Sequence, residues 1–249
     1  MFSMTWPGTC PLEKGEKFSM EKSDAGKKKR GPYAKYPREV TMKKLLDAVG
    51  DILKENGWAG LGVNKIEARA GVSKKMIYHY FTTYNNLVKT YIKSIDFWVP
   101  VFEQFQDSDA ILEQGLQEFI TTIFQNQFKI FSSDPIMQTI IHWQVSEVNP
   151  LLREISEERE IEGARIAAMT DPHFLNSGLK FRPILALMLF GIYGIVWHAK
   201  TNKSTVCGVD INNESDRGDL IVAIGQIIDL FWKAAEIKTL NQKEVMTDL

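Results

Sequence analysis

The sequence VNKIEARAGVSKKMIYHYF, residues 63–81, decides the fold of the first part of the chain. Its two halves are predicted to be short helices separated by Gly71-Val72-Ser73. Gly71 can adopt the backbone conformation that a tight turn between helices requires, and Ser73 is a natural N-cap for the second helix. Two short helices around a glycine turn predict a helix-turn-helix.

The second of these helices is predicted to begin at Ser73 and to bury Ile77, Tyr80 and Phe81. Its outward residues are Lys74, Lys75, Met76, Tyr78 and His79. A helix in this position faces the major groove of DNA, where lysine suits guanine and methionine suits the thymine methyl group. Tyrosine and histidine are better placed for phosphates. The alternative interpretation is a set of solvated helix residues.

Flanking helices complete this first domain, which we place at residues 38–95. An amphipathic helix is predicted from Arg38 to Asn56-Gly57, a pair that favours a helix end. A further helix is predicted to start near Thr83 and to stop before Pro100. Its apolar stripe consists of Leu87, Val88, Tyr91, Ile92, Ile95 and Trp98.

Charge is distributed unevenly along the chain. Residues 27–95 hold fifteen Lys and Arg against five Asp and Glu, whereas residues 96–249 hold twelve against twenty-two. A basic part joined to an acidic part indicates a protein that offers one end to a polyanion. Double-stranded DNA is the first candidate and an anionic membrane the second.

Residues 1–37 are predicted to form a disordered basic tail, because no apolar period occurs there. The run Lys27 to Arg30 either contacts DNA as a basic arm or only solubilises the tail. The first 26 residues lack the apolar segment of a secretion signal. Cys10 and Cys207 are too few for a disulfide framework, so a cytoplasmic location is expected.

The rest of the chain, residues 96–249, is predicted to be a larger helical domain, which makes the fold class all-α. No strand-like alternation of any length occurs there. Helices are predicted at 109–131, 135–147, 150–170, 179–202 and 217–238, separated by Asp-Pro, Asn-Pro and polar segments. The uncharged stretch 183–199 is at the bottom of membrane-spanning length. We interpret it as a helix buried on every side, so no membrane span is predicted.

The pattern Ile66-x-x-x-Ala70-Gly71-Val72-Ser73-x-x-x-Ile77-Tyr78-x-Tyr80-Phe81 resembles the DNA-binding domain of the tetracycline-repressor (TetR) family. The resemblance covers about 55 residues. It departs from the family at Gly62, Glu67 and Tyr84-Asn85-Asn86. The resemblance implies an N-terminal three-helix helix-turn-helix domain followed by a ligand-binding and dimerisation domain.

The resemblance also implies a homodimeric regulator and the residues that would serve it. The DNA-binding candidates are Lys65, Ser73, Lys74, Lys75, Met76, Tyr78, His79 and Tyr84. The dimer-interface candidates, on the helices at 179–202 and 217–238, are Gly191, Gly194, Ile195, Ile224, Ile228 and Phe231. Such a regulator is expected to be a repressor released by a small molecule.

Aromatic residues spread through several helices of the second domain are consistent with a cavity for a small, largely apolar effector. The candidates for its lining are Phe102, Phe128, His142, Trp143 and Tyr193. The alternative is a packed core. The histidines show no metal-ligand spacing, so neither a metal nor a cofactor is predicted.

No catalytic motif is present, and the chain is not expected to be an enzyme. Two other interpretations stay open. One is a helical ligand-binding or protein-interaction module with degenerate DNA binding, which Gly62 and Glu67 favour. The other is an acidic helical enzyme with an accessory DNA domain.

Overall fold

The structure is a computed structural model that describes residues 37–106 and 115–247. The predicted tail up to residue 36 and the predicted helix start at 109–114 lie outside these ranges. The described residues are helical, apart from connecting segments and one isolated bridge between Val206 and Val209. They form two compact units that meet in the sequence at Asp96 and Phe97.

The described part of the first unit contains four α-helices. They are α1 (Arg38–Asn56), α2 (Val63–Ala70), α3 (Lys75–Phe81) and α4 (Tyr84–Ser94), with a short 3-10 helix at Trp58–Gly60. Its core consists of fully buried aliphatic side chains from all four helices, among them Leu45, Val49, Ile66, Ile77, Leu87 and Val88. The predicted amphipathic helix from Arg38 to Asn56 is confirmed.

The turn between α2 and α3 depends on Gly71, whose φ of 60° and ψ of 30° lie in the left-handed region that glycine adopts without steric cost. The prediction that α3 begins at Ser73 is wrong by two residues, since the helix starts at Lys75. The backbone first makes tight bonds in which Met76 N–H donates to Ser73 and Ile77 N–H donates to Lys74. These bonds have the 3-10 pattern that is frequent at helix starts.

The prediction for the fourth helix is wrong at its end. Thr83 caps α4, because its Oγ1 accepts from the Asn86 N–H at 3.0 Å. The helix nevertheless ends at Ser94, and Trp98 and Pro100 belong to a separate helix in the second unit. A proline in the first turn costs little, since its missing N–H is one that the helix does not use.

The second unit contains α5 (Trp98–Gln106), α6 (Leu116–Ser133), α7 (Pro135–Ser146), α8 (Pro150–Phe174), α9 (Phe181–Asn202) and α10 (Glu214–Thr247). The predicted boundaries at Asp134-Pro135 and Asn149-Pro150 are confirmed. Each acidic or amide side chain accepts two backbone N–H bonds of the helix it precedes, and each proline occupies the first turn. Helix α8 continues through Pro172 to Phe174, four residues beyond the predicted end.

Helix α6 lies at the centre of this unit and packs against α7, α9 and α10. Phe119, Phe128 and Phe131 are almost completely buried there. A second aromatic cluster joins α8 to α9, where the rings of Phe174 and Phe181 stack at 4.2 Å between centroids. These contacts form one hydrophobic core for the second unit.

The expectation that the helix at 179–202 is buried on every side is wrong within the protomer. Leu187 is 70% exposed and Phe190 is 58% exposed, and Gly191 and Gly194 are exposed between further apolar residues. Among the described helices, α9 is long and apolar enough to cross a membrane by length and composition alone. In a single protomer, its outer face therefore leaves apolar side chains in contact with water.

Two glycines inside helices give a matched test of the packing. A Cβ at Gly50 would lie 2.6 Å from the hydroxyl oxygen of buried Tyr91, whereas a Cβ at Gly163 meets no atom within 4 Å. We expect Gly50→Ala to lower the free energy of unfolding by about 1–3 kcal/mol through overpacking. Gly163→Ala should raise it by roughly 0.5–1 kcal/mol, since alanine loses less backbone entropy. Guanidinium denaturation measures both, and equal effects would contradict the packing described here.

Candidate DNA-reading surface and effector cavity

Helix α3 presents one face to the core and the opposite face to solvent. Ile77 and Phe81 are buried, while Tyr78 is 53% exposed. Lys74, Lys75 and His79 are exposed as well, and Met76 and Tyr80 are half-buried. Tyr80 therefore departs from its predicted burial, because it lies at the edge of the core, where the Arg38 guanidinium is 6.0 Å from its ring centroid.

Glu67 fixes the start of α3. Its Oε1 accepts from the Lys74 backbone N–H at 2.9 Å, and the Lys74 Nζ donates to Asn64 Oδ1 at 3.2 Å. A carboxylate at this place satisfies a backbone donor that a helix start leaves open. The sequence alone shows Glu67 only as a departure from the family pattern. Its hydrogen bond to Lys74 across the turn could not be found from residue spacing.

Other candidates for DNA contact lie on the surface around α3. Lys65 and Ser73 are exposed, and Tyr84 is half-buried at the start of α4. Burial raises the pKa of the Tyr84 hydroxyl, so this side chain is neutral at physiological pH. Arg69 is different, because its guanidinium binds the carboxylate of Glu55 and ties α2 to α1. That contact lowers the pKa of Glu55.

The second unit encloses a cavity of about 430 Å³ between α5, α6, α7, α8 and α9. Small-molecule sites have volumes of about 300–1,000 Å³ and mostly apolar walls. The apolar lining here includes Trp98, Phe102, Ile120, Ile123, Phe124, Ile141, Ile166, Leu185, Leu189 and Tyr193. The size and the lining therefore suit a small apolar molecule.

Two of the five predicted lining residues, Phe102 and Tyr193, lie at the cavity. Phe128 and Trp143 are instead buried in the core, and the indole N–H of Trp143 donates to Glu147 Oε2 at 3.0 Å. His142 is exposed. The prediction that Phe128, Trp143 and His142 line the cavity is wrong, because an aromatic composition does not indicate which helix face a residue occupies.

Polar side chains lie at defined places in the cavity wall. Arg159 Nη1 donates to Gln144 Oε1 at 3.2 Å, and Gln144 Nε2 donates to Ser156 Oγ at 2.8 Å. All three residues line the cavity. Tyr193 also lines the cavity, and its hydroxyl oxygen accepts from Gln127 Nε2 at 3.1 Å. Gly163 leaves space there, since a Cβ added to this residue would meet no atom within 4 Å.

The outer faces of α9 and α10 carry exposed apolar residues. Gly191 and Gly194 are exposed, and Ile195 and Phe231 are half-buried. The interface prediction is corrected for Ile224 and Ile228. Their side chains are 5% and 0% exposed inside the protomer and cannot contact a partner. The exposed residues that the sequence analysis missed are Leu187, Phe190, Val222, Ile227, Leu230, Ile237 and Leu240.

Across residues 37–106 and 115–247, no group of three or more His, Cys, Asp or Glu side chains is placed to hold a metal ion. His142 and His173 pack against aromatic rings. His142 meets Trp197 edge-on with centroids 5.7 Å apart, and His173 stacks on Trp232 at 4.2 Å.

Comparison with known proteins finds a family match within the first unit. Residues 45–90 match the family of bacterial regulatory proteins named tetR. This segment runs from the second half of α1 into α4 and contains the whole helix-turn-helix. No curated protein matches the chain.

Solved structures share the fold over most of the chain. The regulator FadR from Bacillus subtilis, in complex with stearoyl-CoA, is 20% identical with a TM-score of 0.52, over 75% of this chain and 96% of that one. A TetR family transcription regulator from Marinobacter aquaeolei VT8 is 18% identical with a TM-score of 0.47, over 79% and 95%. The chain therefore contains a helix-turn-helix segment that matches the tetR family of bacterial regulatory proteins, and its fold is similar to that of FadR from Bacillus subtilis.

Proposed function

We propose that the chain is a homodimeric transcriptional repressor that binds a double-stranded DNA operator and is released by a small, largely apolar effector. The observation that carries the proposal is the orientation of α3. Its apolar residues Ile77 and Phe81 are buried, and Lys74, Lys75, Tyr78 and His79 point outward. A short helix held in this way presents its outer face to the major groove.

The positions of Gly62 and Glu67 bear on the alternative of degenerate DNA binding. Gly62 leaves α2 without a side-chain cap, which weakens one helix end. Glu67 has the opposite effect, since it accepts from the backbone N–H of Lys74, the residue directly before α3. A residue that fixes the reading helix supports a working DNA-binding domain, and we therefore favour the regulator over the alternative.

Lys75 provides the test of DNA reading. It is exposed at the first residue of α3, a place from which side chains reach base edges. We expect Lys75→Ala to weaken binding to a selected operator by about 1–3 kcal/mol. Fluorescence anisotropy with selected and random duplexes measures this, and exposed Lys129→Ala in the second unit is the control. An equal loss on both duplexes would refute base readout by Lys75.

Dimerisation explains the exposed apolar faces of α9 and α10. On α10, Ala223, Ile227, Leu230, Ala234 and Ile237 follow one another at alternating spacings of four and three residues. This spacing forms a single apolar seam on a helix. A monomer that exposed this seam together with Leu187 and Phe190 would leave a large apolar patch in water. Pairing with a second copy across a two-fold axis buries both seams.

Gly194→Arg tests this interface. Gly194 is exposed, and a Cβ there meets no atom within 4 Å, so the protomer accommodates the change. In a close apolar contact between helices, however, a buried unpaired charge is strongly destabilising. Sedimentation should therefore show monomers for Gly194→Arg and dimers for Ala168→Arg on the exposed face of α8. A dimer that persists in both variants would move the interface elsewhere.

The effector is proposed to occupy the cavity of the second unit. Its volume of about 430 Å³ lies in the lower part of the range of about 300–1,000 Å³ for small-molecule sites. FadR from Bacillus subtilis holds stearoyl-CoA, a molecule far larger than this space. We therefore propose a compact apolar effector or the apolar part of a larger one.

A substitution that fills the cavity tests the release mechanism. Metabolites extracted from the native cell should lower the operator affinity of the wild-type protein roughly 5–150-fold at saturation. Gly163→Phe places a ring in the open space at Gly163 and should keep operator binding but lose this response. Ala168→Phe, on the solvent side of α8, should respond like the wild type. Operator titrations with and without extract measure this, and a full response of Gly163→Phe would count against the cavity.

A further inference from the structure

A buried polar pair, Gln127 and Tyr193, lies next to the cavity. Gln127 is 0% exposed, and its Nε2 donates to the hydroxyl oxygen of Tyr193 at 3.1 Å. The other amide atom, Gln127 Oε1, has no hydrogen-bond partner among the described residues. Gln127 Oε1 therefore lacks one hydrogen-bond donor.

The helix geometry places this pair at the cavity. Ile120, Ile123 and Phe124 on α6 line the cavity, and Gln127 follows them on the same helix face at spacings of seven, four and three residues. Tyr193 itself lines the cavity and contacts the Gln127 amide. Its ring is held by Phe131, with centroids 4.7 Å apart. Tyr193 thus connects the cavity wall to the Gln127 amide.

An unpaired buried acceptor costs free energy that a suitable partner recovers. Buried amide oxygens in native proteins are almost always hydrogen-bonded, and each exception calls for an explanation. An apolar effector would leave Gln127 Oε1 unpaired. An effector with one hydroxyl-type donor would pair with it and bind more tightly for that reason.

We propose that Gln127 and Tyr193 determine effector specificity, and that the effector is an apolar molecule carrying one hydrogen-bond donor such as a hydroxyl group. The donor pairs with Gln127 Oε1 after a small shift of the Tyr193 ring, while the apolar body contacts Trp98, Ile123 and Leu185. This inference rests on the proposed effector cavity and specifies the chemical class of its ligand.

Three probes of similar shape test the proposal on the full-length protein by calorimetry. They are 4-butylphenol, 4-butyltoluene and 4-butylanisole, of which only the phenol has a donor proton. The wild-type protein should bind the phenol about tenfold more tightly than the other two. This comparison needs no variant, so its result does not depend on whether a substitution folds.

Two substitutions then test whether Gln127 causes the preference for the phenol. Gln127→Leu should abolish the preference for the phenol and keep binding of 4-butyltoluene. Gln138→Leu is the matched control, since Gln138 donates to the Phe131 carbonyl oxygen at 2.6 Å and is not among the lining residues. It should keep the tenfold preference.

Three results would overturn the inference: equal affinities of the wild type for the three probes, a preference that survives Gln127→Leu, or no binding of any probe. Operator titration in the presence of saturating 4-butylphenol separates this inference from the proposed function. Unchanged operator affinity, together with a donor preference that depends on Gln127, would reject effector release and support the specificity of the cavity.

Discussion

The burial of Ile77 and Phe81 is the interaction on which the outer surface of α3 depends. Helix α3 has seven residues, and an isolated helix of this length is not stable in water. It exists because these two side chains pack into the core shared by α1, α2 and α4. The same packing fixes the rotation of the helix about its axis. The outward position of Lys75, Tyr78 and His79 therefore follows from the core.

Helix α9 connects two other parts of the proposed mechanism. Tyr193 points into the cavity and is 5% exposed, whereas the next residue, Gly194, is exposed on the apolar outer face. A ligand that moves Tyr193 acts on the same helix that carries Gly194, which is part of the proposed contact between protomers. Such a ligand shifts the equilibrium only if it binds one arrangement of the dimer better than the other.

Sequence alone could predict the features that local physics decides. The glycine turn at Gly71 and the helix boundaries at Asp134-Pro135 and Asn149-Pro150 depend on neighbouring residues only, and the structure has them as expected. The contact of Glu67 with Lys74 and the walls of the cavity depend on tertiary packing, which no local pattern records. The family resemblance indicates which helices face a partner but not which side of each helix does so. Helix α10 is apolar on more than one side, and Ile224 and Ile228 lie on the side that faces the core.

The central claim is that two copies of the α3 surface read one DNA duplex. Hydroxyl-radical footprinting of the full-length protein on a duplex selected from a random pool tests it most directly. We predict two protected segments of related sequence, arranged with two-fold symmetry and separated by about one helical turn, or a multiple of it, in which each turn spans about 10–10.5 base pairs. A single protected segment, or uniform weak protection without sequence symmetry, would contradict it.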